Sequence, residues 1–241
     1  MHDYFPILIL NARPAAGKSE IINFLHQINT ADRIARYTIG PIHILDDFPM
    51  LWSWFEEDDI LTHVFQRPRL HTTPERYFIH DDLWHLLIRR LSLEYNKWFR
   101  DVQEAHTCLI EFSRGTATGG YQIAYQHLSE QILKQAACLY INVSYTESKR
   151  KNLRRENVER RDSILEHSLE VEKMEKLYKD DDWSVFTADD PDYLLVKGYK
   201  IPYCVMENED DVTTQGGEAL ATRLEKCLDR LWTLWQQREA V

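Results

Sequence analysis

The chain has 241 residues, enough for one α/β domain with an elaborated lid or for a core carrying a small inserted subdomain. Its 29 Lys plus Arg against 39 Asp plus Glu leave a formal charge of −10, which argues against nucleic acid or an anionic membrane as the main partner. No apolar run reaches the ~18 residues of a membrane span, and Met1-His2-Asp3-Tyr4 enters the first strand without a basic region and cleavage site, so the expectation is a cytosolic protein without a membrane partner.

The first predicted element is a buried parallel strand, Ile7-Leu8-Ile9-Leu10, followed by a helix on which Ile21, Phe24, Leu25 and Ile28 recur at helical spacing. Between them lies Ala12-Arg13-Pro14-Ala15-Ala16-Gly17-Lys18-Ser19-Glu20. A Gly-Lys-Ser triplet occurs by chance in many chains, but far more rarely between the first apolar run and an amphipathic helix. In such a loop successive backbone N–H groups converge on phosphates, Lys18 supplies positive charge, the Ser19 hydroxyl can ligate Mg²⁺, and the helix N-terminus favours an anion. Gly17 allows an approach that a Cβ would block. Ala12 stands where Gly is commoner, a position at which the pattern admits either. The nine residues are the candidate nucleotide-binding loop.

A second strand follows at Ile42-His43-Ile44-Leu45, ending in Asp46-Asp47-Phe48-Pro49, where Pro49 is expected to stop the pattern. Residues 50–78 are aromatic and irregular and read as an inserted helical or loop region that could cover a substrate. Leu83, Leu87, Leu91, Tyr95 and Trp98 predict a long helix over 80–102, with Asp81 and Asp82 at its positive end. Thr107-Cys108-Leu109-Ile110 is a third strand, ended by Glu111-Phe112-Ser113-Arg114 and the Gly115–Gly120 loop, and 121–137 reads as a helix. Residues 138–143 form a fourth strand, followed by a charged helical stretch to about Lys179. Ile201 to Met206 is the fifth, and 216–238 closes the chain as a helix with Leu220, Leu224, Leu228, Leu231 and Trp235 on one face. Trp232 and Trp235 suit either core or an interface. Alternating strands and helices imply a doubly wound α/β fold, with a five-stranded parallel sheet covered on both faces. Cys108, Cys138, Cys204 and Cys227 show no C-x-x-C pair and read as reduced, buried thiols, and the ten histidines show no zinc-ligand spacing.

In such a sheet ligands bind beyond the carboxyl ends of the strands, and here these ends carry the glycine loop, Asp46 and Asp47, then Glu111 and Arg114, then an arginine cluster. The chain resembles the P-loop kinases of small molecules, the group holding nucleoside, uridine and nucleoside monophosphate kinases. The resemblance spans most of the length, with specificity concentrated in the glycine loop. It implies one kinase-like P-loop domain over 1–241 using ATP and Mg²⁺, with a nucleoside or nucleotide as the first choice of acceptor and sugars or other hydroxyl compounds fitting the same scaffold.

Under that resemblance Asp46 or Asp47 is the general base at the acceptor hydroxyl, unless the pair only caps the next segment. Glu111 assists the metal with Ser19, unless it pairs with a neighbour such as Arg114, which otherwise matches an acceptor-binding arginine. The 116–120 loop either lines the acceptor site or is only a turn. Residues 147–179 correspond to a helical lid. Seven basic residues crowd 149–161, and Arg154, Arg155, Arg160 and Arg161 are the candidates to meet charge on the transferring group; the alternative is a solvated helix with i, i+4 pairs to Glu156 and Glu159. RNA binding is disfavoured because no aromatics interleave these arginines. Asn208 falls in the loop expected beside the base. The other class of function is an NTP-binding switch with slow hydrolysis, which the acidic acceptor motif and the arginine cluster suit less well. Oligomeric state is not readable.

Overall fold

Strand β1 (Ile7–Ala12) is buried along its whole length because helices cover the sheet on both faces, and the period of a strand sends its side chains alternately to each. Ile7 and Ile9 enter one hydrophobic cluster, whereas Leu8, Leu10 and Ala12 enter the other. The structure is a computed structural model and describes residues 3–102, 106–154 and 169–238. Around β1 the sheet is completed by β2 (Ile42–Asp46), β3 (Thr107–Phe112), β4 (Ala136–Asn142), β5 (Tyr193–Val196) and β6 (Tyr199–Glu207), in the spatial order β2-β3-β1-β4-β6-β5.

The five strands anticipated from apolar runs are all present and mutually parallel. The sheet nevertheless has six strands and is mixed, because β5 pairs antiparallel with β6 at the edge. Lys197 and Gly198, the two residues between them, both have positive φ (51° and 86°), which suits a two-residue hairpin whose twist matches the strands. A four-residue edge strand is too short to stand out as an apolar run.

On one face of the sheet lie α1 (Lys18–Gln27), α2 (Thr30–Tyr37) and α11 (Gly217–Gln237). The anticipated stripe Leu220, Leu224, Leu228 and Leu231 is buried there with Ile21 and Leu25. Trp232 and Trp235 stack on each other and pack against this cluster, and the Trp235 indole donates to the Gln135 carbonyl (2.9 Å). The other face carries α4 (Asp82–Asp101), α5 (Gly120–Gln126) and α6 (Glu130–Gln135), with Ile88, Leu91, Tyr95, Tyr121 and Tyr125 in its core.

The expected helix over 121–137 is thus two helices. Ser129 accepts the Ile132 N–H as an N-cap and starts the second one. The strand pattern ends before Pro49 as expected, with β2 closing at Asp46 and Pro49 already in a helix. The proline sits in the first turn of α3 (Asp47–His63), where its missing N–H is one of the donors without an intrahelical acceptor anyway. Residues 50–78 are therefore mostly α3 plus an ordered loop. The remaining helices are α7 (Tyr145–Arg154), α8 (Val171–Tyr178), α9 (Trp183–Phe186) and α10 (Val212–Gln215). Among the described residues the four cysteines are free thiols, Cys108, Cys138 and Cys204 buried as expected and Cys227, on α11, only partly so, and no helix is long and apolar enough to cross a membrane.

Candidate functional site

The loop between β1 and α1 is shaped by its neighbours. Ala15 and Gly17 have positive φ (58° and 118°), which turns successive peptide planes into a concave run of backbone donors. Within the loop the Ala16 N–H donates to the Arg13 carbonyl (3.3 Å), and three other carbonyls are taken from outside: Tyr121 Oη donates to Ala12 (3.0 Å), Ser148 Oγ to Pro14 (2.6 Å) and Asn208 Nδ2 to Ala16 (2.8 Å). Arg13 ties the loop to β4 and to the segment after α8, donating to the Val143 carbonyl (3.1 Å) and pairing with Asp181 (2.7 Å). The first N–H groups of α1, at Lys18, Ser19 and Glu20, have no intrahelical acceptor and give that end of the helix a partial positive charge.

Thr213 braces the loop from behind. Asn208 and Lys151 both donate to its hydroxyl (2.8 and 3.0 Å), and a Cβ at Gly17 would stand 2.6 Å from that oxygen. Asn208, fully buried, spends its amide on Ala16 and Thr213, so its side chain buttresses the loop and does not line the adjacent cavity.

A cavity of about 370 Å³ opens beside this loop, a size typical of small-molecule sites. Of the anticipated residues, Pro14 to Ser19, Asp46, Asp47 and Glu111 line it, whereas Ala12, Arg13, Glu20, Arg114 and Asn208 lie behind or beside it. Asp46 and Glu111 are register partners on adjacent strands, which sets two carboxylates side by side. Burial pushes the Asp46 carboxyl up to about 8, helped by the negative charges of Glu111 and Asp47 and opposed by the Phe48 N–H and Lys18. Lys18 Nζ donates to Ser113 Oγ (2.8 Å) at the end of β3, so the ammonium reaches across to the carboxyl ends of the strands. Ser113 carries no motif of its own; its place just beyond a strand's carboxyl end is the sequence signal for it.

Asp46 and Asp47 play different parts. Asp46 caps α3 through the Phe48 N–H (2.9 Å) while bordering the cavity. Asp47 is ion-paired with Arg114 (2.7 Å), whose guanidinium is buried and also donates to the Ser113 and Trp84 carbonyls (2.7 and 3.1 Å). Arg114 therefore holds Asp47, β3 and α4 together and does not line the cavity, in contrast to the expected acceptor contact.

The far wall is aromatic, with Phe48, Trp52 and Phe55 from α3, Tyr77 and Phe78 from the following loop, and Trp84 from α4. The 116–120 loop contributes Ala117 to the lining. Of the arginine cluster, Arg155, Arg160 and Arg161 fall outside the described residues. Within them Arg150, Lys151 and Arg154 surround Asp211 at 2.9, 2.6 and 3.6 Å, tying α7 to the loop before α10. Arg154 is exposed there and does not line the cavity.

No model of a known protein family matches the chain, and no curated protein matches it. Residue chemistry and geometry carry the functional reading.

Proposed function

We propose that the protein is a Mg²⁺-ATP-dependent small-molecule kinase that transfers the γ-phosphoryl group to a hydroxyl, with a nucleoside or nucleotide the favoured acceptor. The observation that carries this is one cavity bordered by a concave, glycine-containing loop with Lys18 and Ser19, by the adjacent carboxylates Asp46 and Glu111, and by an aromatic wall. The loop donors and the α1 N-terminus suit the phosphates of ATP. The aromatic wall suits the acceptor.

In this reading the acceptor hydroxyl gives its proton to the Asp46 carboxylate. Its oxygen bonds to the γ-phosphorus while the bond from phosphorus to the β–γ bridging oxygen breaks, leaving a nucleoside diphosphate. Lys18 and the loop N–H groups meet the charge on the departing and transferring oxygens. A base whose proton affinity is poised near the operating pH suits this task, and Asp46 is the group that burial has tuned there. The Ser19 hydroxyl with Glu111 is a set of hard oxygen donors that fits Mg²⁺, which when bound would neutralise phosphate charge.

Screening nucleosides, nucleotides and sugars for acceptor-dependent ADP formation tests this. The expected result is one compound class that raises ADP formation at least ~10-fold above the rate with water alone. If no acceptor stimulates turnover while a protein partner binds only the ATP-loaded form, the chain is a nucleotide switch instead.

A further inference from the structure

The loop after α3 is built with more care than a cover requires. Asp58, fully buried on α3, accepts the N–H groups of Leu70 (2.8 Å), His71 (3.1 Å) and Thr72 (2.7 Å) and the Thr72 hydroxyl (2.7 Å). Thr72 bridges to Phe78, and the turn between them is closed by Thr73 N to the Tyr77 carbonyl (2.7 Å) and Arg76 N to the Thr73 carbonyl (2.9 Å). This scaffold holds Arg76 at a φ of 61°, a conformation that costs a non-glycine residue about 1 kcal/mol or more. The guanidinium that results lies over the rings of Trp52 (5.0 Å) and Phe55 (5.7 Å), on the cavity wall.

Arg76 has little else to do there. Its contact with Asp59 is long, at 3.7 Å, and Asp59 is already paired with Arg69 at 2.7 Å. Two further cations line the same cavity: the ammonium groups of Lys173 and Lys176 lie 5.5 and 4.4 Å from the Tyr77 ring. Lys173 is buried, with the exposed Glu170 as its ion-pair partner (3.0 Å). These three cations thus line the cavity beside Trp52, Phe55 and Tyr77, in a lining that also holds Lys18 and the carboxylates Asp46, Asp47, Asp81, Glu111 and Glu170. Trp52 and Phe55 follow Asp46 by six and nine residues, so the backbone positions of the rings under Arg76 lie about 9–14 Å further along α3 than that of the carboxylate.

We propose that the acceptor is a flat aromatic molecule bearing an anionic anchor, a phosphate or a carboxylate, held by Arg76, Lys173 and Lys176 while its reacting hydroxyl faces Asp46. The anchor is not the group phosphorylated, because it lies about two helical turns from the carboxylate. Arg76 supplies a fork of N–H donors that matches either anion, the lysines add charge, and the rings take the body of the molecule. The proposal rests on the kinase reading for its reacting hydroxyl, but the anchor is a binding claim that stands without turnover.

Two matched pairs of probes test it by calorimetry: adenosine against adenosine 5′-monophosphate, and tyrosol against 4-hydroxyphenylacetate. The expected result is that in at least one pair the anionic member binds at least tenfold tighter, and the pair that shows it distinguishes phosphate from carboxylate. Arg76→Asn, which tolerates the left-handed backbone, should abolish the preference while leaving the neutral member and Mg²⁺-ATP unchanged. The exposed Lys176→Gln should reduce it without affecting the fold. Equal affinities within both pairs, absence of binding by all four, or a preference that survives both variants would overturn the proposal. Mg²⁺-ATP affinity measured on the same samples separates the two claims: anion-selective binding without ATP binding would sink the kinase reading and keep the anchor.

Discussion

Asp46→Asn should lower turnover by ~10²–10⁴-fold while leaving Mg²⁺-ATP affinity within a few-fold of the wild type, because it removes a proton acceptor and keeps the size of the side chain. The pH dependence gives the same residue a second signature. Burial, then the charges of Glu111 and Asp47, raise the Asp46 carboxyl from 3.8 to about 8, so the wild-type kcat/KM should climb roughly tenfold per pH unit and level off near pH 8.

Stability runs the opposite way. A carboxyl whose folded pKa is raised lends its full contribution below pH 4 and loses it as pH rises toward 8, since the folded state must then hold an unwelcome charge. Thermal unfolding should find Asp46→Asn more stable than the wild type at pH 8, with the difference closing toward pH 4. The neighbouring Asp47→Asn should behave otherwise, costing ~3–5 kcal/mol by stripping the buried Arg114 of its ion pair. If Asp47→Asn abolished turnover in a stable protein while Asp46→Asn did not, the base would be reassigned.

Gly17→Ala should be damaging out of proportion to one methyl group. The residue sits at φ 118°, which an L side chain rarely adopts, and the added carbon would stand 2.6–2.9 Å from Oγ1, Cγ2 and Cβ of Thr213. Thr213 has little freedom to turn aside, because Asn208 and Lys151 hold its hydroxyl and its N–H donates to Asn208 Oδ1 (3.1 Å). Backbone strain and overpacking together should cost ~2–4 kcal/mol in denaturant unfolding and should weaken nucleotide binding by distorting the loop. Wild-type stability and affinity in this variant would mean that the loop is softer than its bracing implies.

The parallel strands and the glycine loop were legible because their signals are local. Four apolar residues ended by a polar one mark a buried strand, and the loop's residues are contiguous. What escaped is made by distance in the chain or by brevity. Arg114 and Asp47 are 67 residues apart, so nothing in the sequence says that a supposed acceptor arginine is taken. Asp58 organises residues 12–14 positions away in a segment without periodicity, and Arg76 gains its meaning only from rings on α3. Asn208 sits where the sequence placed it, beyond β6, but its 192-residue reach back to Ala16 makes it a brace. The Lys197-Gly198 hairpin did leave a signal in its glycine, outweighed by the shortness of β5.

The central claim is that the loop from Ala12 to Ser19 holds a nucleoside triphosphate, and calorimetric titration of Mg²⁺-ATP into the wild type and Lys18→Ala tests it most directly. Lys18 reaches from the α1 N-terminus to Ser113 and supplies a positive charge where the loop borders the cavity, so its removal should delete an attraction for a triphosphate that no other loop residue lining the cavity replaces. The account predicts saturable binding to the wild type and an affinity at least ~10-fold weaker in Lys18→Ala, with unchanged thermal stability in the absence of nucleotide. Equal affinity in the two proteins, or no binding to the wild type, would contradict it.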